Sequence, residues 1–154
     1  MDREKGLYES SDYFQVGVVV KSVDETVKYL REIIGISGPI EFRDVSYPTA
    51  TYYGKTEGYR GKRAFFNIGP VNFELIELVD GKTIHESFLK EKGEGVHHVG
   101  FEVKDLKKSI EHAEKLGLKV IQSYIREDES GFAYLNTDKV GGIIFELIRR
   151  QKKS

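Results

Sequence analysis

The sequence predicts an α+β fold in which two βαβββ modules form one cup-shaped, mostly antiparallel sheet. Each half of the chain opens with a strand pattern that runs into an amphipathic helix, once from Phe14 and again from His97. Each half also closes on the same four residues, Phe-Glu-Leu-Ile, at 73–76 and 145–148. A module of roughly 70 residues buries so little surface that it would be only marginally stable alone. We therefore expect a duplication whose two copies share one core.

The elements of the first half follow from periodicity and turn signals. Alternation predicts a strand at 13–20, and the capping box Ser22-Val23-Asp24-Glu25 opens a helix that Gly35 ends. The apolar residues of this helix share one face, which we expect to be buried: Val27, Leu30, Ile33 and Ile34. Strand-like runs follow, separated by Ser, Pro and Gly signals, at 40–45, 50–53, 63–68 and 72–79. Gly69-Pro70 forms the tight turn between the last two runs.

The second half repeats this order after a connection. Residues 83–92 predict a helix that ends at Gly93, and Gly93-Glu94-Gly95 is the expected hinge. The elements expected beyond the hinge are a strand at 96–103, a helix at 105–116 and strands at 119–125, 132–135 and 143–148. We therefore expect one structural domain made of a first module at 13–80, a connecting helix and hinge at 81–95, and a second module at 96–149.

Composition narrows the classes of function. The chain has 24 basic and 25 acidic residues and a net charge of -1, which argues against a nucleic-acid surface or an anionic-membrane binder and favours a small-molecule partner. It has no cysteine, which excludes disulfides, thiolate metal sites and a cysteine nucleophile, and favours a cytoplasmic location. No stretch approaches the roughly 20 apolar residues of a membrane span, so we expect no membrane partner.

Strand phase indicates where the polar residues point. In the two opening strands the apolar set must face the helix, so Gln15 and His98 fall on the opposite, concave face, each followed two positions later by a glycine. In the two closing strands Glu74 and Glu146 fall on that same face, with isoleucines beside them. We expect these four side chains to converge inside a sheet-lined cup.

Several of these residues also have simpler interpretations. A single strand glutamate is more often a solvated surface residue, and it is the duplicated context that favours a site. Gln15 is either a metal ligand or a structural hydrogen-bonding residue. The second role is considered because an amide oxygen is a poor ligand beside imidazole or carboxylate. We expect His97 in the helix-facing core, and His85 and His112 on helix surfaces. The basic, aromatic stretch 52–63 is either a solvated loop or a contact for a phosphate-bearing carrier.

From Tyr13 to Ile148 the arrangement resembles the vicinal oxygen chelate superfamily, the fold of glyoxalase I, methylmalonyl-CoA epimerase, extradiol dioxygenases and bleomycin-resistance proteins. The likeness is strongest to the epimerases, through residues 88–98 and through the ending at 141–147. The resemblance implies a homodimer. It also implies metal ligands on the first and last strands of each module, which here carry Gln15, Glu74, His98 and Glu146.

Two departures from the epimerase pattern affect the expected function. The epimerases usually have His where this chain has Gln15, and their acid-base carboxylate on a middle strand of the first module has no match within 63–67. The Gln, Glu, His, Glu set instead resembles that of one branch of glyoxalase I.

The chemistry of this set suits one divalent ion, with Co, Zn, Ni or Mn as candidates. An ion at a carbonyl stabilises the enolate oxygen, so a nearby carboxylate can remove the adjacent proton. Glu74 and Glu146 are the catalytic candidates, one as base and the other as conjugate acid. Three functions stay open: an epimerase or isomerase acting on an acyl-CoA such as methylmalonyl-CoA, a glyoxalase I-like lactoylglutathione lyase acting on a thiohemiacetal, and a non-catalytic binding module. A dioxygenase is disfavoured, because its iron site needs two histidines and only His98 is in place.

Overall fold

The computed structural model describes residues 6–152, and the strands of this part of the chain form a single curled sheet. Its strands are β1 Phe14–Val19, β2 Glu41–Tyr47, β3 Thr51–Tyr52, β4 Lys55–Thr56, β5 Tyr59–Ile68, β6 Val71–Gly81, β7 Gly95–Glu102, β8 Val120–Ile125, β9 Gly131–Leu135 and β10 Ile144–Arg149. The helices are α1 Val23–Tyr29, which continues into a π-helical turn at Leu30–Ile34, α2 Ile84–Lys92 and α3 Leu106–Lys115. The predicted α+β fold is confirmed.

Strand order shows how the two halves meet. The sheet runs β2-β5-β6-β1-β7-β10-β9-β8-β3-β4, so apart from the β3–β4 hairpin the second half mirrors the first. Among the strand pairs within residues 6–152, only β1–β6 and β7–β10 are parallel, which confirms a mostly antiparallel sheet. The opening strands β1 and β7 are neighbours at the centre, and the closing strands β6 and β10 flank them. All four strands that carry the predicted site residues are therefore adjacent.

Two helices cover the outer face of the sheet. Ser22 caps α1 by accepting a hydrogen bond from the backbone N–H of Glu25, and Asp105 caps α3 by accepting one from that of Lys108. The α1 side contributes Val23 and Val27 to one apolar cluster, and α3 contributes residues such as Leu106 to another. These clusters fix the phase of the strands, so the opposite face becomes the inside of the cup.

The β3–β4 hairpin draws the two edges of the sheet together. The run predicted as a first-half strand at 50–53 is shortened to β3, and it pairs with β8 of the second half. The chain crosses to β8 directly after β2, whose last residue, Tyr47, packs against Tyr124 and Phe132. This crossing curls the sheet and fills one end of the cup with aromatic side chains.

The end of the first helix departs from the sequence prediction. Val27 is buried as expected, but Ile33 and Ile34 are 63% and 58% exposed. The last turn is π-helical, so its residues no longer follow the 3.6-residue phase that Val27 sets. The helix still ends at Gly35, in the left-handed conformation at a φ of 81°. Among residues 6–152, no helix has both the length and the apolar character to cross a membrane.

Candidate metal and proton-transfer site

The structure brings the four predicted site residues together on the concave face of the sheet. Gln15, Glu74, His98 and Glu146 are all buried, and His98 has no exposed surface. The Nε2 atom of His98 lies 3.0 Å from Glu146 Oε2 and 3.7 Å from Glu74 Oε2. Strand phase therefore predicted their convergence correctly.

Two glycines provide the room for this convergence. His98 lies across from Gly17 on β1, and a Cβ at Gly17 would stand 1.9 Å from the imidazole ring. Gly100 is the equivalent glycine of the second half. A Cβ added there would lie 3.0 Å from Glu146 Oε2 and 2.6 Å from Ile148 Cδ1. A side chain at Gly17 would displace the histidine from the site. The glycine that follows each polar residue on the cup face is thus part of the site.

The donor atoms fit a divalent ion. His98 Nε2 is fully buried and makes no hydrogen bond within residues 6–152, because its short contact with Glu146 lies outside hydrogen-bonding geometry. One donor atom each from Glu74, His98 and Glu146 lies within 4.8 Å of the other two. A buried nitrogen without a well-formed hydrogen bond, between two buried carboxylates, is stabilised by a proton or a cation held among the three groups. One imidazole with two carboxylates suits Zn, Co, Ni or Mn.

The carboxamide of Gln15 borders the same space. One end lies 3.0 Å from the Tyr13 hydroxyl and 3.1 Å from Asn72 Oδ1, and the other lies 3.1 Å from Glu74 Oε2 and 3.3 Å from Glu146 Oε2. With its NH2 group toward the carboxylates, Gln15 donates to both. With its oxygen toward them, it adds a fourth ligand for a cation. The sequence allowed Gln15 to be either a metal ligand or a structural hydrogen-bonding residue. Both roles are possible from this one side-chain position.

A buried arginine completes the first-half side of the site. Arg63 on β5 is 3% exposed, and its Nε lies 3.2 Å from Glu74 Oε1. Its Nη1 donates to the backbone carbonyls of Lys62 and Glu77. This ion pair was not predicted, because Arg63 lies within the basic stretch 52–63. Strand phase places Arg63 on the cup face, but its approach to Glu74 depends on the register in which β5 and β6 pair.

The stretch 52–63 does not form one basic surface. Tyr59 and Arg63 are buried inside the cup, whereas Arg60 lies outside and pairs with Asp80. Lys82 lies over the ring of Tyr52 at 5.3 Å.

Two histidines lie elsewhere than the sequence predicted. His97 is buried beside His98, rather than in the core under α1 and α3, because a β-bulge interrupts the β1–β7 ladder at this point and leaves His97 unpaired. His85 on α2 was expected at the surface but is buried against His97 and Tyr134. The connecting helix therefore closes the cup behind the site. His112 is partly buried.

Electrostatics distinguishes the histidine of the site from its neighbours. Burial opposes a charge on His98, but the carboxylates of Glu146 and Glu74 outweigh it and raise the pKa of His98 to about 9. Burial and the charge of His98 lower the pKa of His97 to about 3. Burial also raises the pKa of Glu146, against the opposing effect of His98. Without a metal, a proton therefore resides on the His98–Glu146 pair.

Comparison with known proteins agrees with this fold. The sequence model of the Glyoxalase/Bleomycin resistance protein/Dioxygenase superfamily matches residues 14–135. The chain belongs to this superfamily. This confirms the resemblance that the duplicated motifs carry. A Bacillus subtilis (strain 168) relative, the uncharacterized protein YqjC, is 22% identical over 134 residues, which cover 86% of this chain and 87% of that protein.

Solved structures with the same fold include proteins of known and unknown activity. A hypothetical protein, BH1468 of Bacillus halodurans C-125, has a TM-score of 0.63 and 18% identity, covering 91% of this chain and 94% of its own. Methylmalonyl-CoA epimerase from Mycobacterium tuberculosis has a TM-score of 0.61 and 15% identity, covering 90% and 87%. A variant of the Streptomyces coelicolor methylmalonyl-CoA epimerase, in complex with 2-nitronate-propionyl-CoA, has a TM-score of 0.60 and 20% identity, covering 87% and 93%. At these identities the likeness shows the fold alone.

Proposed function

We propose that this protein is a metal-dependent epimerase or isomerase that moves a proton at the carbon next to a carbonyl. The observation that carries the proposal is the buried set of Glu74, His98 and Glu146, whose donor atoms face one another within 4.8 Å in a cup of the superfamily fold. Such a set combines a cation site with two carboxylates able to exchange protons.

One divalent ion, Co, Zn, Ni or Mn, is the proposed cofactor, held by Gln15, Glu74, His98 and Glu146. A bound ion would act as a Lewis acid on the substrate carbonyl and make the neighbouring C–H more acidic. Burial of these four residues limits their contact with solvent, so charges inside the cup interact more strongly than they would in solution.

The two glutamates are the proposed proton carriers. Glu146 is the proposed first acceptor, and in the metal-free site burial raises the pKa of its carboxyl group. Within residues 6–152 its only ion pair is with His98, so it has no fixed cation that would oppose protonation. Glu74 pairs with the guanidinium of Arg63 and offers its other oxygen to the site. It is the proposed second carboxylate: it would enter the step protonated and give its proton to the opposite face of the carbon, while Glu146 keeps the proton that it removed.

An acyl-CoA with a substituent at carbon 2, such as methylmalonyl-CoA, is the proposed substrate. Structures with this fold include a methylmalonyl-CoA epimerase in complex with methylmalonyl-CoA, with a TM-score of 0.60 and 20% identity. The motifs at 88–98 and 141–147 carry the sequence resemblance to that family. The proposed assembly is a homodimer, and the proposed location is the cytoplasm.

A second candidate is a glyoxalase I-like lyase acting on a thiohemiacetal. The identity of the site residues favours it, because Gln, Glu, His and Glu occupy the four positions and no further carboxylate lies at 63–67 on β5. The proton transfer it requires is the same, so the substrate alone separates the two activities.

The test is to load the protein in turn with Co, Zn, Ni and Mn and to incubate it in D2O with methylmalonyl-CoA. The proposal predicts deuterium at carbon 2 and loss of stereochemical purity, measured by mass spectrometry and chiral analysis. In parallel, the thiohemiacetal of methylglyoxal and glutathione is assayed for conversion to the thioester. Turnover of the thiohemiacetal alone would favour the lyase. A loaded protein that binds either compound without exchanging the proton would be a binding module.

A further inference from the structure

His97 makes a direct hydrogen bond to the central ligand of the proposed site. Its Nδ1 lies 3.0 Å from His98 Nδ1, and both rings are buried. Neighbouring residues of a regular strand point to opposite faces, so this contact needs the β-bulge that leaves His97 unpaired between β1 and β7. The bulge turns a histidine that strand phase assigns to the helix-facing core toward the site.

The chemistry of His98 decides the direction of this hydrogen bond. Its Nε2 faces Glu74 and Glu146, so Nε2 must present a lone pair to bind a cation there. A neutral imidazole with a lone pair on Nε2 carries its hydrogen on Nδ1. His98 Nδ1 therefore donates, and His97 Nδ1 accepts.

We propose that His97 is a positioning residue that selects the metal-binding tautomer of His98 and fixes the orientation of its ring. This inference rests on the proposed metal site. Metal-binding histidines commonly donate their second ring nitrogen to a carboxylate, a backbone carbonyl or water. Here the acceptor is the imidazole of the preceding residue.

The surroundings of His97 hold it in place for this role. Its ring packs edge-on against His85 at 4.7 Å and Phe88 at 5.1 Å, both on α2. His85 is anchored in turn, because its Nδ1 lies 3.0 Å from the Thr83 hydroxyl, which donates to Gln122 on β8. The connecting helix and the far side of the sheet therefore both support the position of the ligand.

The three histidines also present a competing possibility. Donor atoms of His85, His97 and His98 lie within 4.8 Å of one another, so these imidazoles could themselves bind a metal. The 3.0 Å contact between the two Nδ1 atoms favours a hydrogen bond instead, because a shared proton needs no ion between them. The experiment must separate these two arrangements.

The first measurement is made on metal-free, 15N-labelled protein and does not depend on any activity. NMR detection through the carbon-bound ring protons should show a scalar coupling across the hydrogen bond between the two Nδ1 atoms. His97→Phe should abolish this coupling and keep the ring packing against Phe88. Absence of the coupling in the wild type would overturn the proposal.

The second measurement is metal affinity, followed with Co²⁺ by its visible absorption. His97→Phe should weaken binding by about 10- to 100-fold, the usual effect of removing a partner that orients a ligand. His97→Asn is the matched control, because its amide oxygen can take the place of Nδ1 as an acceptor, and it should keep most of the affinity. Circular dichroism and thermal unfolding check that both variants fold.

Three outcomes would contradict the proposal in different ways. A folded His97→Phe variant with wild-type affinity would overturn the positioning role alone. Co²⁺ binding that survives Glu74→Gln/Glu146→Gln but is lost in His85→Phe would assign the ion to the three histidines. A wild type that shows the coupling but binds no divalent metal would overturn the proposed function, and with it the role of His97 toward a metal.

Discussion

The two halves of the chain place a glutamate at the same point of the same four-residue motif but surround it differently. On β6, Glu74 lies against the buried guanidinium of Arg63, a fixed positive charge. On β10, the ion-pair partner of Glu146 is His98, a group that can gain and lose its proton. A duplicated strand pattern therefore sets where a carboxylate points, whereas residues on neighbouring strands determine what it can do.

The largest effect should come from removing the second-half carboxylate. Glu146→Gln keeps the shape of the side chain but cannot accept a proton, so proton exchange at saturating metal should fall by about 10²- to 10⁴-fold. The matched variant Glu74→Gln should lose less exchange and more metal affinity. Deuterium incorporation and metal titration measure the two effects. Equal losses of exchange in both variants would remove the proposed difference between the halves.

The first-half ion pair should matter chiefly for stability. Arg63→Met leaves Glu74 buried without its cation, which should lower the free energy of unfolding by about 3 to 5 kcal/mol. Lys62→Met is the control on the outer face of the same strand, where an exposed pair with Asp24 should contribute less than about 1 kcal/mol. Denaturant unfolding in the presence of a chelator measures both. The double variant Arg63→Met/Glu74→Gln should recover part of the loss, and failure to recover any would argue against the ion pair.

Much of the site was predictable from the sequence because strand phase is a local property. Alternation in β1 and β7 placed Gln15 and His98 on one face, and the repeated ending placed the two glutamates there. The ion pair of Arg63 depends on which strands pair and in what register, which no local pattern contains. The position of His97 depends on a bulge in the β1–β7 ladder, and the exposure of Ile33 depends on one π-helical turn. These features arise from long-range packing.

The two equivalent glycines should differ in their sensitivity to substitution. Gly17→Ala would place a Cβ 1.9 Å from the buried ring of His98, at a cost of about 1 to 3 kcal/mol and with loss of metal binding. Gly100→Ala first meets the end of the Ile148 side chain, which can move, so its effect should be smaller. Gly38→Ala, where no atom lies within 4 Å of the added Cβ, is the control. Thermal unfolding and metal titration compare the three, and equal effects at Gly17 and Gly38 would contradict the placement of His98.

A smaller effect should appear in the pH dependence of metal binding. The pKa of His98 is raised to about 9, so below pH 9 an incoming metal must displace a proton from the His98–Glu146 pair. Affinity should rise about tenfold per pH unit from pH 7 to 9 and then level off, with about one proton released per metal at pH 7. Calorimetry in buffers of different ionisation enthalpy counts the protons.

In the metal-free protein the same proton stabilises the fold fully below pH 6.5, and this stabilisation is lost as the pH rises through 9. An affinity that does not change between pH 7 and 9 would contradict the assignment.

Residues from both halves are proposed to hold one divalent ion, and the metal content of protein purified without chelator tests this proposal. Elemental mass spectrometry should find about one Co, Zn, Ni or Mn per chain, and the matched His98→Ala variant should have lost it. Metal-free wild-type protein that also fails to take up any of these ions when they are added would contradict the claim.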